Sequence, residues 1–490
     1  MNQIIADVGY YETRAAVLED DRLIELHFER RKQSSLVNNI YSGKIVNLIH
    51  GLQMIFVDIG YDKNVFVYKD QLSVPYESLN VGDHLLIQIT KDAMDDKGPK
   101  ATMHLSLPGK YVVMLPQTQH VGISKKIVAP EERLRLQSWA ESLSVSNHGI
   151  IVRTEAACKR EEVLQKDWCY LMSLWAHIVE KQHQVPKGTP LYREHALLPR
   201  LLRDVANRDT TAFLVNDAGE AETLRQICRQ TMPSQLNMIQ ELDNNCNPFI
   251  DYQVEGQWQR AMDSNIALES GGTLVIHHTE ALTTIDVNTG RYMGNKTFQE
   301  SAFDINMEAA REIARQIRLR DIGGIIIIDF IDMKKPDHQQ EVVRALKEAL
   351  KDDRQKTVVL GMTQLGLVEM TRKRTRKKVS SLFNATCKCC HGSGTIRSIY
   401  WTMYEIESSL RRFELQEGIH IVLLSIHPYR RQEFREEAIE LKSLAGKYNL
   451  SLHIQTDSLL PVDEHKIIGF KDESSLEKML QKTSQDMGQL

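Results

Sequence analysis

Apolar and polar positions alternate along three short runs at the start of the chain, IIADVGY, TRAAVLED and RLIELHFER. Turn residues separate them, which predicts a meander of strands. A second β-rich unit runs from Tyr41 to about Leu107. Within it MIFVDIG and NVFVYKD alternate faces and are bounded by Gly60 and Asp62, before the turn-rich segment Lys91 to Ala101 interrupts. Short strands at this spacing predict a small closed barrel. From Tyr111 to about Thr154 strands mix with one helix around PEERLRLQSWAESL. Helical sequence follows through Glu180, and KQHQVPKGTP reads as a linker.

The clearest pattern comes next. Gly271 and Gly272 open TLVIHHTEALTTIDVNTG, which reads as a two-stranded hairpin. A long helix is predicted from about Phe298 to Asp321, with Phe303, Met307, Ala310, Ile313, Ala314 and Ile317 at helical spacing. Gly323 and Gly324 are expected to stop it. IIIIDFIDM then reads as a buried strand, and a further amphipathic helix covers about His338 to Asp352. Together these predict an α/β layered domain. The basic run TRKRTRKK (Thr371 to Lys378) leads into a cysteine cluster. The last ninety or so residues read as a small separate α+β unit.

Composition narrows the picture. A chain of 490 residues implies about two to four domains. The formal net charge is −4, so an anionic partner must be met by local basic patches. No run of about 18 apolar residues predicts a membrane span, and MNQIIADVGYYETRAAVLEDD does not read as a signal peptide. The seven cysteines are sparse and odd in number, which points to a reducing cytoplasm and not to a disulfide framework.

Three constellations carry candidate chemistry. Asp286 closes TTID and Asp329 closes IIIID, so both acids are expected at the ends of core strands, where open α/β sheets place ligands. Two carboxylates at one edge repel, and a hard divalent cation such as Mg²⁺ relieves that repulsion. Asn288 lies two residues past Asp286 on the same face, while Asp332 competes with Asp329 for the second role. Solvated strand ends or helix caps are the bland alternative. Cys387 and Cys390 form a C-x-x-C before HGSG, which suits half of a tetrahedral zinc site. Cys389 and His391 compete as ligands, and a redox pair or unpaired thiols are the alternatives. Arg372, Lys373, Arg374, Arg376, Lys377 and Lys378 form either a solvated surface or a nucleic-acid patch, whose binding would weaken with salt.

The strings TTIDVNTG, EAAREIARQIRLRDIGGIIIIDFIDM and LGLVEMTRKRTR, with SGKIVNL, FVDIG, HVGIS, IIVRT and CKCCHGSG, resemble the ribonuclease E/G family from Asn39 to Thr395 at least. No long scaffold tail follows the catalytic half, so the ribonuclease G branch is the expected nearer relative.

The resemblance implies a Mg²⁺-dependent endoribonuclease. It would cut single-stranded, A/U-rich RNA to 5′-phosphate and 3′-hydroxyl ends, in ribosomal RNA processing or messenger RNA decay. Asp286 and Asp329 match the metal-binding aspartates and Asn288 the assisting asparagine, which selects Asp329 over Asp332. Phe56 and Phe66, otherwise readable as barrel core, match an exposed aromatic pair for RNA, and Lys97 a lysine beside it. Gly109, Val113, Arg153 and Thr154 match a sensor for a 5′-monophosphate. Lys356 matches its supporting cation, as a point charge where a guanidinium would offer a fork. On its own, Arg153 reads equally as a surface cation. Cys387 and Cys390 would share one Zn²⁺ with a second copy of the chain, giving a homodimer that could pair into a tetramer.

The implied fold is multidomain α/β and β. Residues 1–35 and 198–261 would form a ribonuclease H-like subdomain, 36–103 an inserted OB-fold RNA-binding domain and 104–197 the phosphate sensor. A deoxyribonuclease I-like catalytic domain at 262–383, a zinc link at 384–398 and a small C-terminal dimerisation domain at 399–490 would follow. A non-catalytic RNA-binding protein and a Mg²⁺-dependent nuclease acting on DNA are the rival readings. The intact Asp286, Asn288 and Asp329 argue against the first.

Overall fold

The structure is a computed structural model. It describes the chain apart from residues 1, 31–34, 94–96, 144–147, 183, 185–187, 208, 244, 291–296, 375–378, 380–382 and 487–490. The chain divides into two compact units, Met1–Leu382 and Phe383–Leu490.

The opening meander is β1 (Asn2–Val8), β2 (Glu12–Glu19) and β3 (Arg22–Arg30), paired antiparallel. The barrel follows as β4 (Ile40–Ile49), β5 (Met54–Asp58), β6 (Val65–Tyr68), β7 (His84–Lys91) and β8 (Lys100–Thr102). It closes in the order β4-β5-β6-β8-β7, with the β6–β8 contact parallel. Ile45, Ile55, Val57, Val65, Val67, Ile87 and Ile89 fill it, as alternation requires of a small barrel.

A four-stranded sheet comes next: β9 (Leu107–Pro108), β10 (Val112–Leu115), β11 (Val121–Ile123) and β12 (Gly149–Val152). Helices α1 (Pro130–Leu143) and α2 (Glu161–Lys181) accompany it. The apolar face of α2 buries Leu164, Trp168, Leu171, Trp175 and Ile178, with Asp167 buried among them. After α3 (Leu197–Asp204), strand β13 (Thr210–Val215) pairs parallel with β1, placing Ile4 against Phe213 and Ala6 against Val215. With β14 (Ile239–Glu241), this completes a five-stranded sheet β14-β13-β1-β2-β3 built from two distant stretches of chain.

The third sheet carries the candidate acids. Its strands are β15 (Asn265–Ala267), β16 (Thr273–His278), β17 (Leu282–Asn288), β18 (Gly324–Asp329), β19 (Thr357–Met362) and β20 (Leu367–Arg372), in the order β15-β16-β17-β18-β20-β19. The long helix at Phe298–Leu319 starts on a capping box of Thr297 with Glu300. It and the helix Pro336–Ala349 bury Ile305, Ala309, Ile313, Val342 and Leu346 against Leu274, Ile276, Ile285, Val287, Ile326 and Ile328.

Three expectations shift. The long helix ends at Leu319, before the glycine pair. Asp321 takes the left-handed turn at φ 49, and Gly324 already belongs to β18. Phe303 and Met307 are only half-buried, because Ala302, Ile305 and Ala309 form the inner stripe. Strand β18 is buried on one side only: Ile326 and Ile328 are covered, while Ile325 is 50% exposed.

Residues 383–490 hold a three-stranded sheet. Its central strand Ile421–Ile426 pairs parallel with Ser451–Thr456 and antiparallel with His465–Phe470. Ile406 and Leu410 from the helix Ile399–Glu414 pack on Val422 and Leu424.

Candidate active site

Asp286 and Asp329 are direct partners across the parallel pair β17–β18. Neighbouring strands lie about 4.8 Å apart, so the two carboxylates stand side by side. Alternation puts both on the face away from the helices, and both are exposed. Asp329 does end its strand, but β17 continues two residues past Asp286, to Asn288. That extension keeps Asn288 on the same face, where its amide nitrogen donates to Asp286 Oδ2 at 2.7 Å. Partial burial first, then the charges of Asp286 and Asp332, raise the Asp329 carboxyl above its ordinary range.

Asp332 lies beyond β18 in a loop fixed from behind. Asn306, fully buried on the long helix, donates to the Ile331 carbonyl at 2.8 Å and accepts from the Ile331 amide at 3.0 Å. Gln299 holds the same loop through the Asp332 carbonyl and the Lys334 amide. Sequence reasoning missed Asn306, although a polar residue on a core-facing stripe was the available signal. The donor set is oxygen-only and net negative. Among the described residues no three His, Cys, Asp or Glu side chains converge to hold an ion. Two carboxylates and an amide oxygen fit Mg²⁺, which keeps several waters, better than an ion needing a full protein cage.

On the barrel, Phe56 and Phe66 are direct cross-strand partners and half-exposed, while their neighbours Ile55, Val57, Val65 and Val67 point inward. Tyr68 extends this outer face, edge-on to Phe66 at 5.5 Å, with Lys100 Nζ 4.8 Å above its ring. Tyr68 and Lys100 were missed, though Tyr68 follows Phe66 at the same-face interval. Lys97 is exposed just ahead of β8.

Around Arg153 the geometry is dense. Asp167 accepts backbone N–H groups from Lys110, Tyr111 and Val112 at 3.2, 2.7 and 3.1 Å. Gly109 is required there, because a Cβ would lie 2.5 Å from Asp167 Oδ2. The Arg153 guanidinium donates to the Gly109 carbonyl at 2.7 Å and to Asp204 Oδ1 at 2.8 Å. Thr154 Oγ1 meets Ser124 Oγ at 2.9 Å. Val113 is half-buried and sits in register with Pro108 and Ile151. Lys356 is exposed, and its carbonyl accepts from the Lys373 amide. Its segment reaches this region through Lys126, which donates to the carbonyls of Lys351 and Asp353. Among the described residues the Lys356 side chain makes no hydrogen bond to Arg153 or Thr154.

The basic run divides. Arg372 is not an outward cation: it is buried, donating to Asp353 at 2.7 Å and to Asp321 at 2.7 Å. Lys373 and Arg374 are exposed, and Arg376, Lys377 and Lys378 lie outside the described residues. In the cysteine cluster, the backbone amides of Cys390 and then Cys389 push the Cys387 thiol down, while burial pushes Cys389 up. His391 and Gly392 turn the chain there with φ of 49 and 90. All seven cysteines are free thiols.

The fold and these groups define a mixed α/β protein with a small barrel and a paired-carboxylate sheet edge, and the matches to known proteins agree. A model described as the ribonuclease E/G family matches residues 106–375. Ribonuclease G of Salmonella typhimurium is 36% identical over 428 residues, 84% of this chain and 87% of that protein. Ribonuclease G of Haemophilus influenzae is 35% identical over 427 residues, again 84% and 87%. Ribonuclease E of the same organism is 29% identical over 480 residues, 94% of this chain and 51% of that protein. The chain belongs to the ribonuclease E/G family. Among the described residues no helix is long and apolar enough to cross a membrane.

Proposed function

We propose that this chain is a Mg²⁺-dependent endoribonuclease. In this reading it cleaves single-stranded, A/U-rich RNA, prefers a 5′-monophosphorylated end and leaves 5′-phosphate and 3′-hydroxyl products. It would serve ribosomal RNA processing and messenger RNA decay in the cytoplasm. The observation that carries the reading is the in-register pair Asp286–Asp329 on an exposed sheet face, with Asn288 bonded to the first acid. The names of the similar proteins, ribonuclease G and ribonuclease E, support RNA as the substrate.

Asp286 and Asp329 would hold the ion, with Asn288 fixing the rotamer of Asp286. When bound, Mg²⁺ would supply an acidified water and offset phosphate charge. The chain's own part is to hold both carboxylates on one rigid edge, with Asn306 bracing the loop behind Asp329. Phe56 and Phe66, joined by Tyr68, would stack bases, and Lys97 and Lys100 would lie along the backbone. Arg153 and Thr154 would take the terminal phosphate, since a guanidinium fork and a hydroxyl suit it. Gly109 and Val113 would wall that pocket, and Lys356 would add charge.

The domain assignment follows the same reading. Residues 36–103 form an OB-type barrel, which the parallel closure of its third and fifth strands supports. Residues 1–35 with 198–261 form the ribonuclease H-like subdomain, 104–197 the sensor and 262–383 the deoxyribonuclease I-like core. Cys387 and Cys390, in the link at 384–398, supply half of a Zn²⁺ site completed by a second copy, so the unit is a homodimer. The amides that lower the Cys387 thiol favour a thiolate ligand.

The test offers purified protein a 5′-monophosphorylated single-stranded RNA and its DNA counterpart, with and without Mg²⁺. RNA-selective, Mg²⁺-dependent cleavage is expected. Cleavage of DNA alone, or of neither strand, would overturn the reading.

A further inference from the structure

The Arg153 side chain does not wait alone for a ligand. It heads an unbroken chain of alternating charges running into the protein. Its guanidinium donates to Asp204 Oδ1. Asp204 is gripped from behind by Arg203, whose Nε and Nη2 reach the two carboxylate oxygens at 3.1 and 2.8 Å. Arg203 is 9% exposed, and its Nη1 donates to Glu194 at 2.8 Å. Glu194, 4% exposed, also accepts from Asn38 Nδ2 at 2.8 Å, from the His195 amide at 2.9 Å and from the Tyr192 hydroxyl at 3.3 Å. The Glu194 amide in turn donates to the Asn39 side chain at 2.8 Å. Asn38 and Asn39 immediately precede β4, where the barrel begins.

Two features make this more than a surface ion pair. Both members of the inner pair, Arg203 and Glu194, are out of water, where removing either leaves a buried charge unmatched. The outer carboxylate is also held ionised. Burial opposes this, but the hydrogen bonds and charge of Arg203, then Arg153, hold Asp204 at about 2. At neutral pH the acceptor that orients Arg153 is therefore always charged. The Gly109 carbonyl fixes a second corner of the same guanidinium, and the amides that follow it, of Lys110, Tyr111 and Val112, are held by Asp167. A guanidinium anchored at two corners has lost its rotamer freedom before any ligand arrives, which lowers the entropic cost of binding.

We infer that Asp204 is a positioning residue. Backed by Arg203 and Glu194, it presets the Arg153 fork for a phosphate at an RNA 5′ end, and so sets how strongly that end is preferred. This rests on the phosphate-sensor reading of Arg153 given above. The buried pair also ties the fork to the turn that enters the barrel, so the phosphate pocket and the barrel share one hydrogen-bonded network.

The test compares kcat and KM on one RNA sequence carrying a 5′-monophosphate or a 5′-hydroxyl, for the wild type, Asp204→Asn, Asp204→Glu and Arg153→Ala. Asp204→Asn keeps the shape and removes the charge. It should cut the monophosphate preference about tenfold through a higher KM, the scale of one lost charge-assisted hydrogen bond. Asp204→Glu should restore part of the preference, which a merely structural role would not predict. A preference within twofold of wild type in Asp204→Asn, with the preference abolished in Arg153→Ala, would overturn the inference. So would an equal loss on both RNAs. Unchanged preference in Arg153→Ala would instead sink the sensor reading itself. Should Asp204→Asn fail to fold, Asp204→Glu decides by the same ratio: the displaced carboxylate should leave a preference below wild type, and a wild-type ratio would overturn the inference.

Discussion

The acidic edge and the arginine pocket lie in the same compact unit and handle charge in opposite ways. At the edge, Asp286, Asp329 and Asp332 form no ion pair among the described residues, and partial burial, then the charges of the other two acids, raises Asp329. In the pocket, Arg153, Asp204, Arg203 and Glu194 alternate in sign, each matched by the next. In the proposed function the difference follows from what each place would bind. A cation would bring the counter-charge the edge lacks, so its acids would stand unmatched without it. A phosphate would have to be recognised by direction, which one guanidinium aimed by the protein's own charges would serve.

Substitutions should therefore separate stability from activity in opposite senses. The largest stability effect is expected for Arg203→Ala, which strands Glu194 and unseats Asp204, at about 3–5 kcal/mol. Urea unfolding followed by tryptophan fluorescence would measure it, since Trp139, Trp168, Trp175 and Trp258 all lie in the first unit. A loss under about 1 kcal/mol would mean the pair is no buried anchor. Next is Gly109→Ala, whose new Cβ would press on Asp167. A loss of about 1–3 kcal/mol is expected, with the monophosphate preference falling alongside it.

Phe66→Ala should weaken single-stranded RNA binding by about 1–3 kcal/mol in fluorescence anisotropy, the range for one base stacked on an aromatic ring. Its effect on folding should be smaller than that of Val65→Ala, whose side chain lies in the barrel core. Equal affinity in Phe66→Ala would remove the barrel's outer face from the interface. The smallest stability effect belongs to the edge. Asp286→Asn should shift unfolding by no more than about 0.5 kcal/mol, because the side chain is exposed and the change removes a like charge beside Asp329.

Acid sharpens the same contrast. Asp204 sits at about 2 in the fold against an ordinary 3.8. A depressed carboxyl contributes stability above its unfolded value and loses it as pH falls through the folded one. The gap in unfolding free energy between wild type and Asp204→Asn should therefore be full near neutrality and shrink from about pH 4 towards pH 2. A constant gap over that window would show that the carboxylate charge is not what Asp204 contributes.

Much of this fold was readable from residue pattern alone. Alternation in MIFVD and VFVY assigned the barrel strands, and the apolar stripe at helical spacing located the long helix, because both signals are local. The paired aspartates were readable as strand-associated acids. Their register was not, since it depends on β17 and β18 meeting across an intervening helix. The union of β1 with β13 was equally hidden from pattern, because no local signal names a partner two hundred residues away. Buried charges were the main failure. Arg372 reads as one more cation in a basic run, and only the fold brings Asp353 and Asp321 to it. Asp204 and Asp167 gave no sign of their roles for the same reason, although an acid among the apolar positions of α2 was a clue.

In the proposed function Asp286 and Asp329 together form the ion site that cleavage requires. The most direct test is single-turnover cleavage of a 5′-monophosphorylated RNA across a Mg²⁺ titration, comparing the wild type with Asp329→Asn at equal folded fraction. Saturable Mg²⁺ dependence is expected in the wild type. In the variant, a rate lower by about a thousandfold is expected, on the order of several kcal/mol of lost transition-state stabilisation. Cleavage by Asp329→Asn at the wild-type rate and Mg²⁺ midpoint would contradict this reading.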